Sequence, residues 1–149
     1  MNLITLDPYN NDHKNMVDQS SKRNIFKNFM SISSICSKEE YEQIKDKKNE
    51  ISECILRVEN NEIKNYCVFS GTKDNRLIQM GIENLLDGDF LEKSMDYAFK
   101  NLNAHTITIF SDGDNSNLEK KGFESLGKEN GITTYVKEKE MNIEIEKVR

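Results

Sequence analysis

The side chains with chemical reach cluster around one short loop, Glu83-Asn-Leu-Leu-Asp-Gly-Asp89. It holds three carboxylates, one glycine and no Arg or Lys. A loop carboxylate can take a proton from an attacking amine, directly or through water. It can equally sit solvated, or cap a following helix. The start of that helix presents backbone N–H groups to an anion, and glycine permits close approach. Carboxylates beside it repel phosphate unless they point away. His13 and His105 lie far apart and adjoin no nucleophile pattern. Asp112, Gly113 and Asp114 are turn residues by type, and they lack the further ligands of a calcium loop. Cys36, Cys54 and Cys67 show no zinc-type spacing. They read as small buried hydrophobes in a reducing compartment. There is no Ser-His-Asp arrangement and no P-loop, and no metal is expected.

A chain of 149 residues is expected to form one domain. Residues 1–138 carry the element pattern, and residues 139–149 form a charged tail or an edge strand. The net charge of −5 argues against general affinity for nucleic acid or an anionic membrane. No apolar run approaches the ~20 residues of a membrane span. The first residues lack the basic-then-apolar order of a leader. The expectation is a cytoplasmic protein.

Several elements must position the loop. Residues 2–6 read as a strand stopped by Asp7-Pro8. Met16, Val17, Ile25, Phe26, Phe29 and Met30 fall at helical spacing, with a break at Gln19-Ser20-Ser21. Ser37-Lys-Glu-Glu40 is a capping box that opens another helix. Strands over 51–59, 63–70 and 76–82 form a meander. Asn60-Asn61 supplies its first turn, since Asn tolerates positive φ. Residues 63–70 are nearly all apolar or aromatic and suit an interior strand. A helix over 90–101, with Asp89 as N-cap and Glu92 at its third position, carries Leu91, Met95, Ala98, Phe99 and Leu102 on one face. Residues 106–110 are β-branched and read as a strand. A strand, a helix of about three turns and another strand imply a parallel pair.

The closing segment is the most specific. In Asn115-Ser-Asn-Leu-Glu-Lys-Lys-Gly-Phe123, Ser116 and Glu119 read as a capping box, and Gly122 sits where a left-handed stop is wanted. Residues 123–126 and 132–137 flank Asn130-Gly131, a strong hairpin signal.

This order resembles the GNAT acyltransferase superfamily over residues 2 to 138. The resemblance implies an α/β (α+β) fold with a mixed, mostly antiparallel sheet of six to seven strands flanked by helices. Asn115 matches the Asn after the fifth strand, and Leu118 to Phe123 match the helix end with its Gly-Phe pair. It also implies acetyl-CoA or another acyl-CoA as cosubstrate. The pantetheine arm would lie against backbone groups of Met80, Gly81 and Ile82. The pyrophosphate would lie at Gly88 and Asp89, with Asn115 nearby.

Some family members place a general base after the fourth strand, which here is Glu83. They place an acidic Tyr four residues before the Gly of Gly-Phe, and that position is Leu118, which has no proton to donate. Tyr66 or Tyr135 would then have to supply the acid; Tyr66 and Glu83 are the catalytic candidates. Two functions remain open. One is N-acyl transfer to an amine acceptor, a small molecule or a protein, by direct attack. The other is an inactive module of the same shape, a homodimer through the alternation of Met141, Ile143 and Ile145.

Overall fold

The computed structural model describes residues 2–140. A seven-stranded sheet runs in the order β1-β2-β3-β4-β5-β7-β6. The strands are β1 (Asn2–Thr5), β2 (Glu50–Glu59), β3 (Glu62–Thr72), β4 (Leu77–Ile82), β5 (Thr106–Asp112), β6 (Glu124–Glu129) and β7 (Ile132–Glu138). All neighbours are antiparallel except β4 and β5, which are parallel. The expected meander and its crossover are both present. Turn chemistry sets two of the hairpins. Asn60 and Asn61 have φ of 53° and 61°, and Asn130 and Gly131 have 53° and 81°. Both central residues of a type I′ turn need positive φ.

The helices are α1 (Asn11–Asp18), α2 (Arg23–Met30), α3 (Lys38–Lys47), α4 (Gly88–Asp96) and α5 (Ser116–Lys120). The break between α1 and α2 falls at the expected serines, where the Ser20 hydroxyl accepts the Lys22 N–H at 3.0 Å. The capping box at Ser37 and Glu40 forms as expected.

Side-chain alternation splits the core into two layers. Leu6, Val17, Phe26, Cys54, Leu56 and Ile63 pack on the α1/α2 face. Ile55, Cys67, Phe69, Ile78, Met80, Ile107, Ile109 and Tyr135 pack on the other face, with Phe90, Leu91, Met95, Ala98 and Leu118 from α4 and α5. The two faces of β3 thus belong to different layers: Tyr66 and Val68 join the first and Cys67 and Phe69 the second.

Three local readings are corrected. The N-cap of α4 is Asp87, whose carboxylate accepts the Phe90 N–H at 3.1 Å, and not Asp89. Glu92 does not complete a box there; it pairs with Lys121 at 3.1 Å. The helix over 90–101 is not uniform, since it widens into a π turn at Tyr97–Asn101. Finally, α5 is capped by Asn115, which accepts the N–H groups of Asn117 and Leu118, and not by Ser116. In each corrected cap the residue that wins has its oxygen one turn away from a free N–H.

The stop of α5 follows the glycine logic. Gly122 has φ 92°. Its N–H reaches the Glu119 carbonyl at 3.0 Å, and Phe123 N–H reaches the Leu118 carbonyl at 3.0 Å. This is the paired C-terminal bonding that satisfies orphan carbonyls, and buried Phe123 packs in the same core cluster as Leu118. The alternation at 141–145 lies outside the described residues.

Candidate active site

The sheet opens at its one parallel pair. Register between β4 and β5 ends at Gln79↔Thr108. Beyond it, β5 stays paired to β7 as far as Asp112↔Ile132. On its other side β4 stays paired to β3 through Cys67↔Ile82. Residues 80–82 therefore keep one hydrogen-bonded neighbour and have an edge turned toward the gap. A cleft of about 380 Å³ lies at this splay, lined by Ile82, Glu83, Leu85, Phe110, Ser111, Asp112, Asn115 and Ile132. A larger hollow of about 450 Å³ lies between α1 and α2, and a third of about 360 Å³ lies beside Tyr9 and Tyr41. Neither is lined by a candidate site residue, Tyr66, Met80, Gly81, Ile82, Glu83, Gly88, Asp89 or Asn115.

The splay brings Ile82, Glu83 and Asn115 to one cleft. Met80 is buried in the core beneath it, so only its backbone is offered to the gap. Gly81 is exposed on the α1/α2 face, and a Cβ there would meet nothing closer than the Val68 carbonyl oxygen at 3.8 Å. Asn115 is held by its neighbours: its side chain caps α5, and its N–H donates to the Tyr135 hydroxyl at 2.8 Å. Tyr135 itself is fully buried.

Glu83 and Tyr66 are also brought together. Glu83 N–H donates to the Tyr66 carbonyl at 3.1 Å, which continues the β3–β4 ladder by one residue. Lys22 joins them from the α1–α2 turn, with its ammonium 2.9 Å from the Glu83 carboxylate. One turn further along α2, Phe26 stands edge-on to the Tyr66 ring, with centroids 5.4 Å apart. Lys22 and Phe26 thus share a helix face by their four-residue spacing. Burial pushes the Tyr66 phenol above its ordinary pKa, and the Glu83 charge adds to the rise while Lys22 opposes it. The phenol is a proton donor at neutral pH.

The acidic loop is arranged differently from a repelling one. Arg57 on β2 reaches Asp87 at 2.5 Å and Asp89 at 3.0 Å, and Lys93 lies 3.5 Å from Asp89. The Phe90 N–H holds the Asp87 carboxyl below the usual carboxylate range, and Arg57 adds to this. Both carboxylates are thus compensated by the Arg57 cation, and the Asp87 carboxylate itself stays on the Phe90 N–H at the helix start. With Phe90 N–H taken by the cap and Leu91 N–H by the Asp87 carbonyl, the Gly88 and Asp89 N–H groups have no hydrogen-bond partner among the described residues. That pair of donors at a helix start is the geometry an anion needs.

Leu118, the site where a catalytic Tyr would stand, is completely buried among core residues. His13 and His105 make only local bonds, to the Asp7 N–H and to Thr106. Cys54 and Cys67 are buried as expected, whereas Cys36 is only half-buried. Among the described residues no three His, Cys, Asp or Glu side chains are grouped to hold a metal ion, and no helix is long and apolar enough to cross a membrane. Lys22, Arg57 and Asp87 escaped the sequence reading. For Asp87 the signal was there, since Asp87-Gly88-Asp89 offers two caps. For Lys22 and Arg57 there was none, because their partners are distant in the chain.

No protein-family model matches the chain, and no curated protein matches it. Solved structures do. The N-acetyltransferase PseH of Campylobacter jejuni, in complex with acetyl coenzyme A, superposes with a TM-score of 0.60 over 93% of this chain and 99% of that one, at 10% identity. The dodecameric spermidine N-acetyltransferase of Vibrio cholerae gives 0.57 over 92% of each chain, at 15% identity. These identities speak to architecture, and the architecture agrees with the pattern of residues 115–123: the chain has the GNAT N-acetyltransferase fold.

Proposed function

We propose that the chain is an acyl-CoA-dependent N-acyltransferase that moves an acetyl group to a primary amine by direct attack. The observation that carries this reading is the β4–β5 splay, with Glu83 in its cleft and, at the end of the loop that leaves the cleft at Leu85, the unpaired N–H groups of Gly88 and Asp89 at the start of α4. PseH, of the same fold, is solved with acetyl coenzyme A.

In this reading the pantetheine arm adds to the open edge of residues 80–82 as a strand would. The pyrophosphate takes the Gly88 and Asp89 N–H groups at the α4 N-terminus, where Arg57 offsets the charge of the neighbouring carboxylates. Glu83 accepts the proton from the attacking ammonium. Tyr66, with its phenol kept protonated, donates toward the leaving thiolate. Holding both reactants in one cleft converts a bimolecular step into a local one, so a modest base suffices.

Calorimetric titration with CoA, together with thiol release from acetyl-CoA in a panel of primary amines, tests the reading. Heat with CoA and amine-dependent thiol release are expected. Absence of both at millimolar ligand sinks it.

A further inference from the structure

The α1–α2 turn delivers an amine of this chain to the candidate base. Lys22 Nζ is 2.9 Å from Glu83 Oε2, and Glu83 lines the cleft. The lysine stem is largely covered, with its side chain 22% exposed. The Ser20 hydroxyl fixes the backbone at Lys22, and Phe26, one turn on, is pinned against Tyr66. The approach is from the α1/α2 face. The α4 N-terminus, with Phe90 and Leu91, belongs to the opposite layer. A thioester reaching through the splay from the α4 side would meet the Lys22 ammonium on the other. Among the described residues no other lysine pairs with Glu83.

Resting on the acyltransferase reading, we propose that Lys22 is itself an acceptor: the chain acetylates its own Lys22 side chain from acetyl-CoA. The ammonium gives one proton to Glu83, which passes it to solvent. The freed amine attacks the thioester carbonyl, and a C–N bond forms. As the C–S bond breaks, CoA leaves as thiolate, and the second nitrogen proton ends on that sulfur. The products are an Nε-acetyl-lysine, CoA and one proton released. Acetylation removes the Lys22 charge and with it the ion pair. Glu83 is then left without its cation, open to an ammonium from outside.

The test uses the full chain and acetyl-CoA with no added amine, followed by peptide mass spectrometry. Lys22 is expected to gain its acetyl group at least about tenfold faster than any other lysine, and Glu83→Gln to slow it by roughly 10²-fold. Lys22→Arg should abolish the stoichiometric thiol release, a readout that does not depend on the Glu83 variant folding. Equal acetylation of all lysines, or a Lys22 rate unaffected by Glu83→Gln, overturns the proposal. A titration with CoA, which carries no acyl group, separates the two failures. Heat with CoA but no acetyl on Lys22 overturns self-acetylation and leaves the acyltransferase reading standing. Neither heat nor thiol release overturns both.

Discussion

Arg57 Nη1 donates to Asp87 Oδ2 at 2.5 Å while the same carboxylate caps α4 through the Phe90 N–H. One cation on β2 thus fixes both the start of the helix and the direction its acidic loop faces. Arg57→Ala should lower stability by about 1–2 kcal/mol, the partial exposure of both partners keeping it modest. It should also leave the Asp87 and Asp89 charges uncompensated beside the proposed anion seat and weaken CoA binding. Denaturant melts and calorimetry on the same variant check the two effects. Arg57→Lys should recover only part of either, since a point charge cannot fork to two carboxylates.

The Asp87 carboxyl lies below its ordinary value in the folded state, first through the Phe90 N–H and also through Arg57. A depressed folded pKa means the folded chain binds fewer protons than the unfolded chain in that window. Stability therefore rises with pH there. The contribution is complete above the unfolded carboxylate value of about 4 and fades as pH falls toward the folded one. Asp87→Asn should flatten this acid slope, so wild type and variant should converge in stability below about pH 4. Urea midpoints across the acid range check it, and parallel slopes would contradict it.

Gly71 and Gly88 make opposite predictions. A Cβ on Gly71 would collide with the Leu77 carbonyl oxygen, where the backbones of β3 and β4 meet. Gly71→Ala should cost roughly 2–3 kcal/mol. At Gly88 nothing lies within 4 Å of the added carbon, in the first position of α4. Gly88→Ala should raise stability by up to about 1 kcal/mol. On the acyltransferase reading it should nonetheless weaken CoA binding, because the methyl stands beside the N–H groups proposed to seat the pyrophosphate. A Gly88→Ala variant that binds CoA as wild type does would remove Gly88 from the anion seat.

What was legible beforehand follows a physical divide. Asn60-Asn61, Asn130-Gly131 and Gly122 each specify a backbone state through their own chemistry, so the hairpins and the α5 stop could be read one residue at a time. The strand and helix order followed from periodicity in the same way. The caps at Asp87 and Asn115 were each misplaced, by two residues and by one, because a neighbouring Asp89 or Ser116 has the same chemistry. What decides is which carboxylate reaches the Phe90 N–H, since Arg57, 30 residues away, holds Asp87 and Asp89 alike. The pairing of Lys22 with Glu83 depends entirely on where the α1–α2 turn lands on the sheet. No local pattern encodes that.

The location of the proton donor separates Leu118 from Tyr66. Leu118 sits where the resemblance would have a tyrosine, yet it is fully buried and shares a core cluster with Phe123 and Tyr135. Putting a phenol there adds bulk to a filled core. Leu118→Tyr should therefore cost about 1–3 kcal/mol and leave turnover no higher. Tyr66 is different, since its ring rests edge-on against Phe26 while its hydroxyl shares the Glu83 and Lys22 field. Tyr66→Phe keeps the ring contact and removes only the donor. Stability should change by less than about 1 kcal/mol, while kcat falls about 10²-fold with KM for acetyl-CoA nearly unchanged. A drop confined to KM would make Tyr66 a binding group. A rise in kcat for Leu118→Tyr would return the acid to the α5 helix.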